Sequence, residues 1–260
     1  MKIVALMENT TCREDLQAEH GLSLYIEANG QKILFDSGAS GSFADNAEAL
    51  GIPLEAVDVA VLSHGHNDHS GGFLRFLGWN YKAPLWVRPE AMLPCHSSSG
   101  EYIGLDPALQ KSERLQLAAH VQPIGEGLTL YSCHDKHSVA PLDSAGLTVY
   151  QNGQYLPDTF PHEQYLLIEE AGKRVLISGC SHKGILNIMH WFKPDVLVGG
   201  FHYMRVDPES TMLETWAKEL LSYDCTYYTG HCTGLPQYDK MKKIMADRLH
   251  YLSTGMEIQI

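Results

Sequence analysis

The residues with the clearest chemical content are His64, His66, Asp68 and His69, four side chains of metal-binding type within the run His64-Gly65-His66-Asn67-Asp68-His69. Imidazole nitrogens and carboxylate oxygens are ordinary protein ligands for zinc and similar divalent ions. In a tight loop alternate residues can converge, so His64 and His66 can share one ion while Asp68 and His69 point to a second. Two ions a few ångströms apart can hold a bridging hydroxide and polarise a phosphoryl or carbonyl oxygen. The plainer alternatives are a single structural metal and a chance run of polar loop residues. Composition alone yields such a pattern in about two chains per thousand. Gly65, Gly71 and Gly72 suit a loop whose backbone approaches the site closely.

A loop of this kind needs rigid elements to hold it. Val57–Leu62, directly before it, is a nearly continuous apolar run of the sort that forms a strand buried on both faces. Upstream, Lys2–Met7, Leu22–Glu27 and Lys32–Phe35 are apolar and β-rich, and Asn29-Gly30 between the last two tolerates the positive φ of a hairpin turn. Downstream, Gly71–Leu77 predicts a short helix and Pro84–Val87 a strand. Further strands are predicted at Leu128–Tyr131, Leu147–Tyr150, Tyr165–Glu169 and Arg174–Ser178. Strand and helix then alternate: a helix over Lys183–Phe192 capped by Ser181, and a strand at Asp195–Val198. A second helix opens at Asp207-Pro208 and buries Met212, Leu213, Trp216 and Leu220. Cys225–Tyr228 is a strand, Pro236 begins a helix burying Met241, Ile244 and Met245, and Gly255–Ile260 closes a sheet. Hairpins followed by β-α alternation predict an α/β sandwich with mixed sheets.

The chain has 260 residues, 44% hydrophobic and 19% charged, enough apolar material for one large core. One domain over 1–260 is expected. Segment 89–126 has prolines, a Ser97–Gly100 run and a helical stretch near Ala108–Ala119; it is expected to be an insertion or lid that shapes the pocket. A net charge of -12 and no basic cluster beyond Lys242-Lys243 argue against a nucleic-acid partner. Six scattered cysteines without a C-x-x-C pair predict reduced thiols. No segment has the length of a membrane span, and the N-terminal apolar run is too short for a signal peptide, so the cytoplasm is expected.

The sequence resembles the metallo-β-lactamase superfamily, whose hallmark is the His-x-His-x-Asp-His run. More narrowly it resembles the branch of the dihydropterin-ribofuranosylaminobenzene phosphate synthase-like metal-dependent hydrolases. That match is carried by Glu19–Leu24, Leu34–Gly38, Ser63–Gly72, Ser178–Ile185, Gly199–His202 and Gly230–Gly234. The resemblance implies an αββα sandwich of two mixed β-sheets flanked by helices, and two divalent ions, zinc before iron or manganese. It also implies that His182 completes the His64/His66 metal and His231 the Asp68/His69 metal. Both histidines follow strands and adjoin glycines, where an α/β sheet tends to place its chemistry. Hydrolytic members commonly carry a metal-bridging aspartate after a Ser/Thr-Gly pair. This chain has Ser178-Gly179-Cys180 instead, which leaves either no bridge, a thiolate, or an inert buried cysteine.

His202, in Gly-Gly-Phe-His, is a candidate oxyanion donor or general acid, and His20 a candidate substrate contact. Asp36 is expected to orient the metal loop as a hydrogen-bond acceptor. His134, His137, His162 and Glu163 carry no ranking signal. The leading functional expectation is a hydrolase of a small phosphorylated or carboxylated metabolite, working through a metal-bound hydroxide oriented by Asp68. The alternatives are a dihydropterin-linked synthase-like enzyme and a non-catalytic metal-dependent ligand-binding protein. The expected partner is a small anionic substrate, with no nucleic acid and no membrane; oligomeric state has no signal.

Overall fold

Strands form where apolar residues recur with period two, and the computed structural model describes all 260 residues. The first seven-stranded sheet runs in the order Glu257–Gln259, Lys2–Met7, Ser23–Ala28, Gln31–Phe35, Val59–Val61, Leu85–Val87, Leu115–Leu117. The second runs Leu249–Tyr251, Thr226–Thr229, Val196–Val198, Lys173–Ile177, Tyr165–Glu170, Leu128–Tyr131, Val121–Gly125. Each sheet is antiparallel on one side and parallel on the other, with Gln31–Phe35 and Lys173–Ile177 at the changeover. The expected hairpin is present: Asn29 (φ 48°) and Gly30 (φ 73°) both adopt positive φ between paired strands.

Side chains divide as the pleat dictates. Ile33 and Phe35 point between the sheets, packing with Val59 and Val61 and, from the opposite sheet, Val175, Ile177, Val196 and Val198. Leu34 and Ala60 point outward, under Phe43, Ala47, Phe73 and Phe76 of the helices Ser42–Ala49 and Phe73–Trp79. Leu176, Leu197 and Tyr227 do the same on the far side, beneath Ile188, Leu213, Leu220 and Met241. The layers are therefore helix, sheet, sheet, helix, as expected. The parallel halves bring the C-terminal ends of Gln31–Phe35 and Val59–Val61 to one edge, and those of Lys173–Ile177, Val196–Val198 and Thr226–Thr229 likewise.

Several local expectations are corrected. No helix forms near Ala108–Ala119: Leu109–Lys111 is a single 3-10 turn and Leu115–Leu117 joins the first sheet. The strand expected at Leu147–Tyr150 occupies Thr148–Gln151 in a third, three-stranded sheet with Gln154–Pro157 and Cys95–His96. Ser181 does not cap the helix Ile185–Phe192: its backbone is left-handed (φ 57°), its hydroxyl bonds Ser178, and Gly184 precedes the helix. The next helix begins at Thr211, capped by Ser210, because Asp207 closes a local turn onto Glu209 N–H instead. Its Met212 and Trp216 are not core, since they face a cavity. Ile244 is half-buried, whereas Met241 and Met245 are core as expected. All six cysteines are free, and no helix is long and apolar enough to cross a membrane.

Phe35 is fully buried at the end of the strand that leads into Asp36. Phe35→Ala is expected to lower unfolding stability by about 3–5 kcal/mol through lost burial and a residual cavity. Urea unfolding should show a lower midpoint at unchanged slope.

Candidate metal centre

Asp36 begins the site. It is fully buried and left-handed (φ 58°), a backbone state that aspartate tolerates better than most residues. Its N–H still donates to Val61 O at 2.9 Å, holding it in register with the strand that feeds the metal loop. Its carboxylate accepts from Ser63 N–H at 2.7 Å, the Ser63 hydroxyl at 2.6 Å and His69 Nδ1 at 2.7 Å. A carboxylate only accepts, so the His69 proton sits on Nδ1. The Ser63 hydroxyl gives its one proton to Asp36 and therefore accepts from His64 Nδ1, 2.8 Å away. Both rings thus present Nε2 as a bare lone pair.

Those lone pairs face others. His64 Nε2 is 3.3 Å from His182 Nε2, and His69 Nε2 is 3.1 Å from His231 Nε2. His231 is set in the same sense by Asn9, whose Oδ1 accepts from Nδ1 at 3.1 Å. Nitrogen lone pairs this close are a stable arrangement only with a proton or a cation between them. That is the donor set of a divalent metal, and the residues present fit one.

Two groups result. Ring nitrogens of His64, His66 and His182 lie within 4.8 Å of one another, and all three rings are buried. Burial first, then the facing histidines, holds His64 and His182 well below the usual imidazole range and His66 at about 3, so all three are neutral. In the second group, Asp68 Oδ2 lies 3.8 Å from His69 Nε2 and 3.3 Å from His231 Nε2. Burial opposes charge on Asp68, but His69 and His231 outweigh it and hold the carboxyl well below its usual range. Burial likewise opposes charge on His231, yet the hydrogen bond to Asp68 raises it to about 9. A proton on that pair stands where a metal ion would compete for the same donors.

His20 approaches the second group from an exposed position, with Nε2 3.6 Å from Asp68 Oδ2. The Asn9 amide nitrogen donates to His20 Nδ1 at 3.3 Å, so the His20 proton is on Nε2. Asn9 therefore gives its two histidines opposite roles: His231 offers a lone pair and His20 a donor. His202 is left-handed (φ 60°), and its ring lies 4.3 Å from that of His182. Burial, then the neighbouring His231 and Arg205, pushes His202 down to about 4, so its ring is neutral.

The six candidate ligands thus converge, with His20 and His202 at the rim. The residues without a ranking signal separate. Glu163 accepts from the backbone of His182 at 2.7 Å and Lys183 at 3.0 Å, which fixes the His182 turn. His162 Nδ1 accepts from Gly65 N–H at 3.1 Å, and its Nε2 donates to Asp158 at 2.9 Å. His134 and His137 are exposed in a loop outside these groups. Asn9 had no sequence signal at all. The loop itself leaves no room for larger residues, since a Cβ on Gly71 would stand 2.0 Å from Ala39 O.

A cavity of about 690 Å³ opens beside His66, Asp68, Cys180 and His182. Its walls come mainly from residues 140–147, 184–186 and 201–216. Segment 89–126 contributes Ser97 and Ile103, less than expected. Tyr203 and Trp216 stack in the wall at 4.5 Å, and Arg205 is the one basic side chain lining it.

An αββα sandwich with convergent histidines and a carboxylate at the strand ends is the architecture of one class, and sequence comparison agrees. The profile of the Metallo-beta-lactamase superfamily matches residues 16–231, and the chain belongs to that superfamily. Within it, the chain is similar to the 7,8-dihydropterin-6-methyl-4-(beta-D-ribofuranosyl)-aminobenzene-5'-phosphate synthase of Methanocaldococcus jannaschii, 26% identical, covering 93% of this chain and 90% of that one. An uncharacterized protein of the same organism is 25% identical, over 93% and 94% of the two chains. The solved structure of Tm1679, a metal-dependent hydrolase of the β-lactamase superfamily, superposes with TM-score 0.82 at 27% identity, over 100% of this chain and 99% of that one. Zn(2+)-bound PqqB from Methylobacterium extorquens shares the fold at TM-score 0.60 and 13% identity, over the whole of both chains.

Asp36→Asn replaces one of the two acceptor oxygens with an amide donor, so at least one of the three protons from Ser63 and His69 loses its acceptor and the ligand tautomers are no longer fixed. Retained divalent metal after dialysis is expected to show an affinity loss of about 10–100-fold, measured by elemental analysis. Unchanged metal content would show that Asp36 does not set the ligand tautomers.

Proposed function

We propose that this chain is a metal-dependent hydrolase of a small metabolite that carries a phosphoryl or carboxyl group on an apolar body. The reading rests on the two adjoining donor groups, His64/His66/His182 and Asp68/His69/His231, opening onto a largely apolar cavity. When bound, a pair of divalent ions supplies Lewis acidity toward a phosphoryl or carbonyl oxygen and a water nucleophile at neutral pH. Zinc fits a His/Asp set, as do iron and manganese.

The chain's own side chains divide the remaining tasks. Asp68, partly exposed beside the cavity, accepts a hydrogen bond from the attacking water and orients it. His202 and His20 each direct an N–H toward the site and stabilise developing oxyanion charge. His202 acts as a neutral donor, because at about 4 its proton affinity is too low for a general acid near pH 7. Arg205, steadied by Ala145 O at 2.8 Å, is placed to meet a second anionic group of the substrate. The Tyr203–Trp216 stack and Ile185 receive its apolar part.

A second reading follows from the same cavity together with the similarity to the dihydropterin-linked synthase. An aromatic wall next to metal ions also suits joining a flat heterocycle to a phosphorylated aromatic partner. A metal-dependent binding protein without turnover is the third reading. Protein loaded separately with zinc, manganese and iron should be assayed on phosphodiesters, phosphomonoesters and carboxyl esters with apolar groups. Chelator-sensitive turnover of one class is expected. Product from a pterin and a phosphorylated aromatic amine, with every ester inert, would replace hydrolysis by the synthase reading; tight binding with no product would leave the third.

His202→Ala is expected to lower kcat/KM by about 10²–10³-fold. Because burial keeps the ring neutral down to about pH 4, the loss should be equal at pH 6 and pH 9. A loss that grows on one side of pH 6.5 would instead assign His202 an ionising role.

A further inference from the structure

The cysteine that follows Ser178-Gly179 occupies the place where the two donor groups meet. Gly179 allows this, since a Cβ there would lie 2.3 Å from Ser63 Oγ and 3.1 Å from His64 Nδ1. The chain consequently presses against the metal loop and drives Cys180 inward. Its side chain is buried, with Sγ 3.2 Å from His69 Nε2. Sγ also lies within 4.8 Å of the donor atoms of His64 and His69, and separately within 4.8 Å of those of His231 and Cys232. One sulfur thus reaches a ligand of the first group and two of the second. Neighbouring Cys232 stays close to the Cys180 sulfur but reaches none of the first group's donors, and its thiol donates to the Cys180 carbonyl at 3.4 Å.

We propose that Cys180 binds as a thiolate bridging the two cations; the inference rests on the two-cation reading above. His69 Nε2 is a lone pair, because Asp36 fixes the proton on Nδ1. The contact at 3.2 Å places the Cys180 sulfur against that lone pair, which His231 Nε2 also faces at 3.1 Å. On metal binding the S–H bond breaks, its proton leaves to solvent, and the sulfur pair is shared with the cations; no electrons are transferred. A thiolate buried this deeply needs positive charge beside it. Two divalent ions supply that charge. A soft bridging ligand also biases the pair toward zinc or iron over manganese or magnesium.

The test is cobalt substitution of the full chain, with metal content and near-ultraviolet absorption measured together. Two bound cobalt ions and a thiolate-to-cobalt charge-transfer band are expected in wild type and in Cys232→Ser. The band should be lost in Cys180→Ser and Cys180→Asp. The aspartate variant, which keeps a negative bridge, should still hold two ions. Thermal melting of each variant identifies any that fail to fold, and Cys180→Asp carries the comparison if the serine variant does. Two cobalt ions without a band in wild type, or a band that persists in Cys180→Asp, overturn the bridge while leaving the two-cation reading intact. A band lost only in Cys232→Ser overturns it by moving the ligand. One bound cobalt or none overturns the two-cation reading and the bridge together.

Discussion

The arrangement depends on one buried carboxylate. Asp36 accepts three protons from two residues, and through them decides which nitrogen of His64 and His69 is free. His64 belongs to one donor group and His69 to the other, so a single acceptor aligns both. An aspartate buried without such partners would be strongly disfavoured; here every proton it accepts also fixes a ligand or the loop. The left-handed backbone at Asp36 is part of the same solution, because it turns the side chain back under the loop instead of along the strand. Left-handed Ser181, His202 and His231 repeat the pattern at other strand ends, where the backbone turns sharply to aim side chains.

The sheets explain why these ends meet. Each changes from antiparallel to parallel pairing at a central strand, so several consecutive strands finish at the same edge. The first sheet delivers Asp36 and the His64–His69 loop; the second delivers Cys180, His182, His202 and His231. Packing of Phe35 and Val61 against Ile177 and Val198 fixes the separation of the two edges. The short nitrogen-to-nitrogen distances between sheets are therefore a property of the core as much as of the loops.

What the sequence disclosed follows from range. The His64–His69 cluster is local, and its spacing carries its meaning without the fold. The buried strands around it are equally legible, because a continuous apolar run before a polar loop has few other interpretations. Asn9 is not legible: its partner His231 lies 222 positions away, and nothing in its own neighbourhood marks it. Glu163 and His162 act on backbone N–H groups of the ligand loops, and a backbone partner leaves no trace in composition. Met212 and Trp216 have core-like spacing yet line a cavity, since amphipathic periodicity reports which face is apolar and not what covers it. The helix expected near Ala108–Ala119 fails for a related reason. Its residues pair with Leu85–Val87 at the sheet edge, and that tertiary partner overrides weak local preference.

The same division separates the chemistry from the choice of substrate. The donor groups sit on rigid strand ends, tied by buried hydrogen bonds that tolerate little change. The cavity is walled by residues 140–147 and 201–216, much of it loop, with exposed Met204, Arg205 and Met212 among its side chains. Arg205 is held only by Ala145 O and Ser98 Oγ, so its position depends on loops that no ligand residue shares. Substitutions there alter what fits beside the donor groups without touching Asp36, Ser63 or Glu163. A scaffold built this way can keep its donor groups while the cavity beside them changes, and for this reason the donor pattern marks the superfamily as a whole.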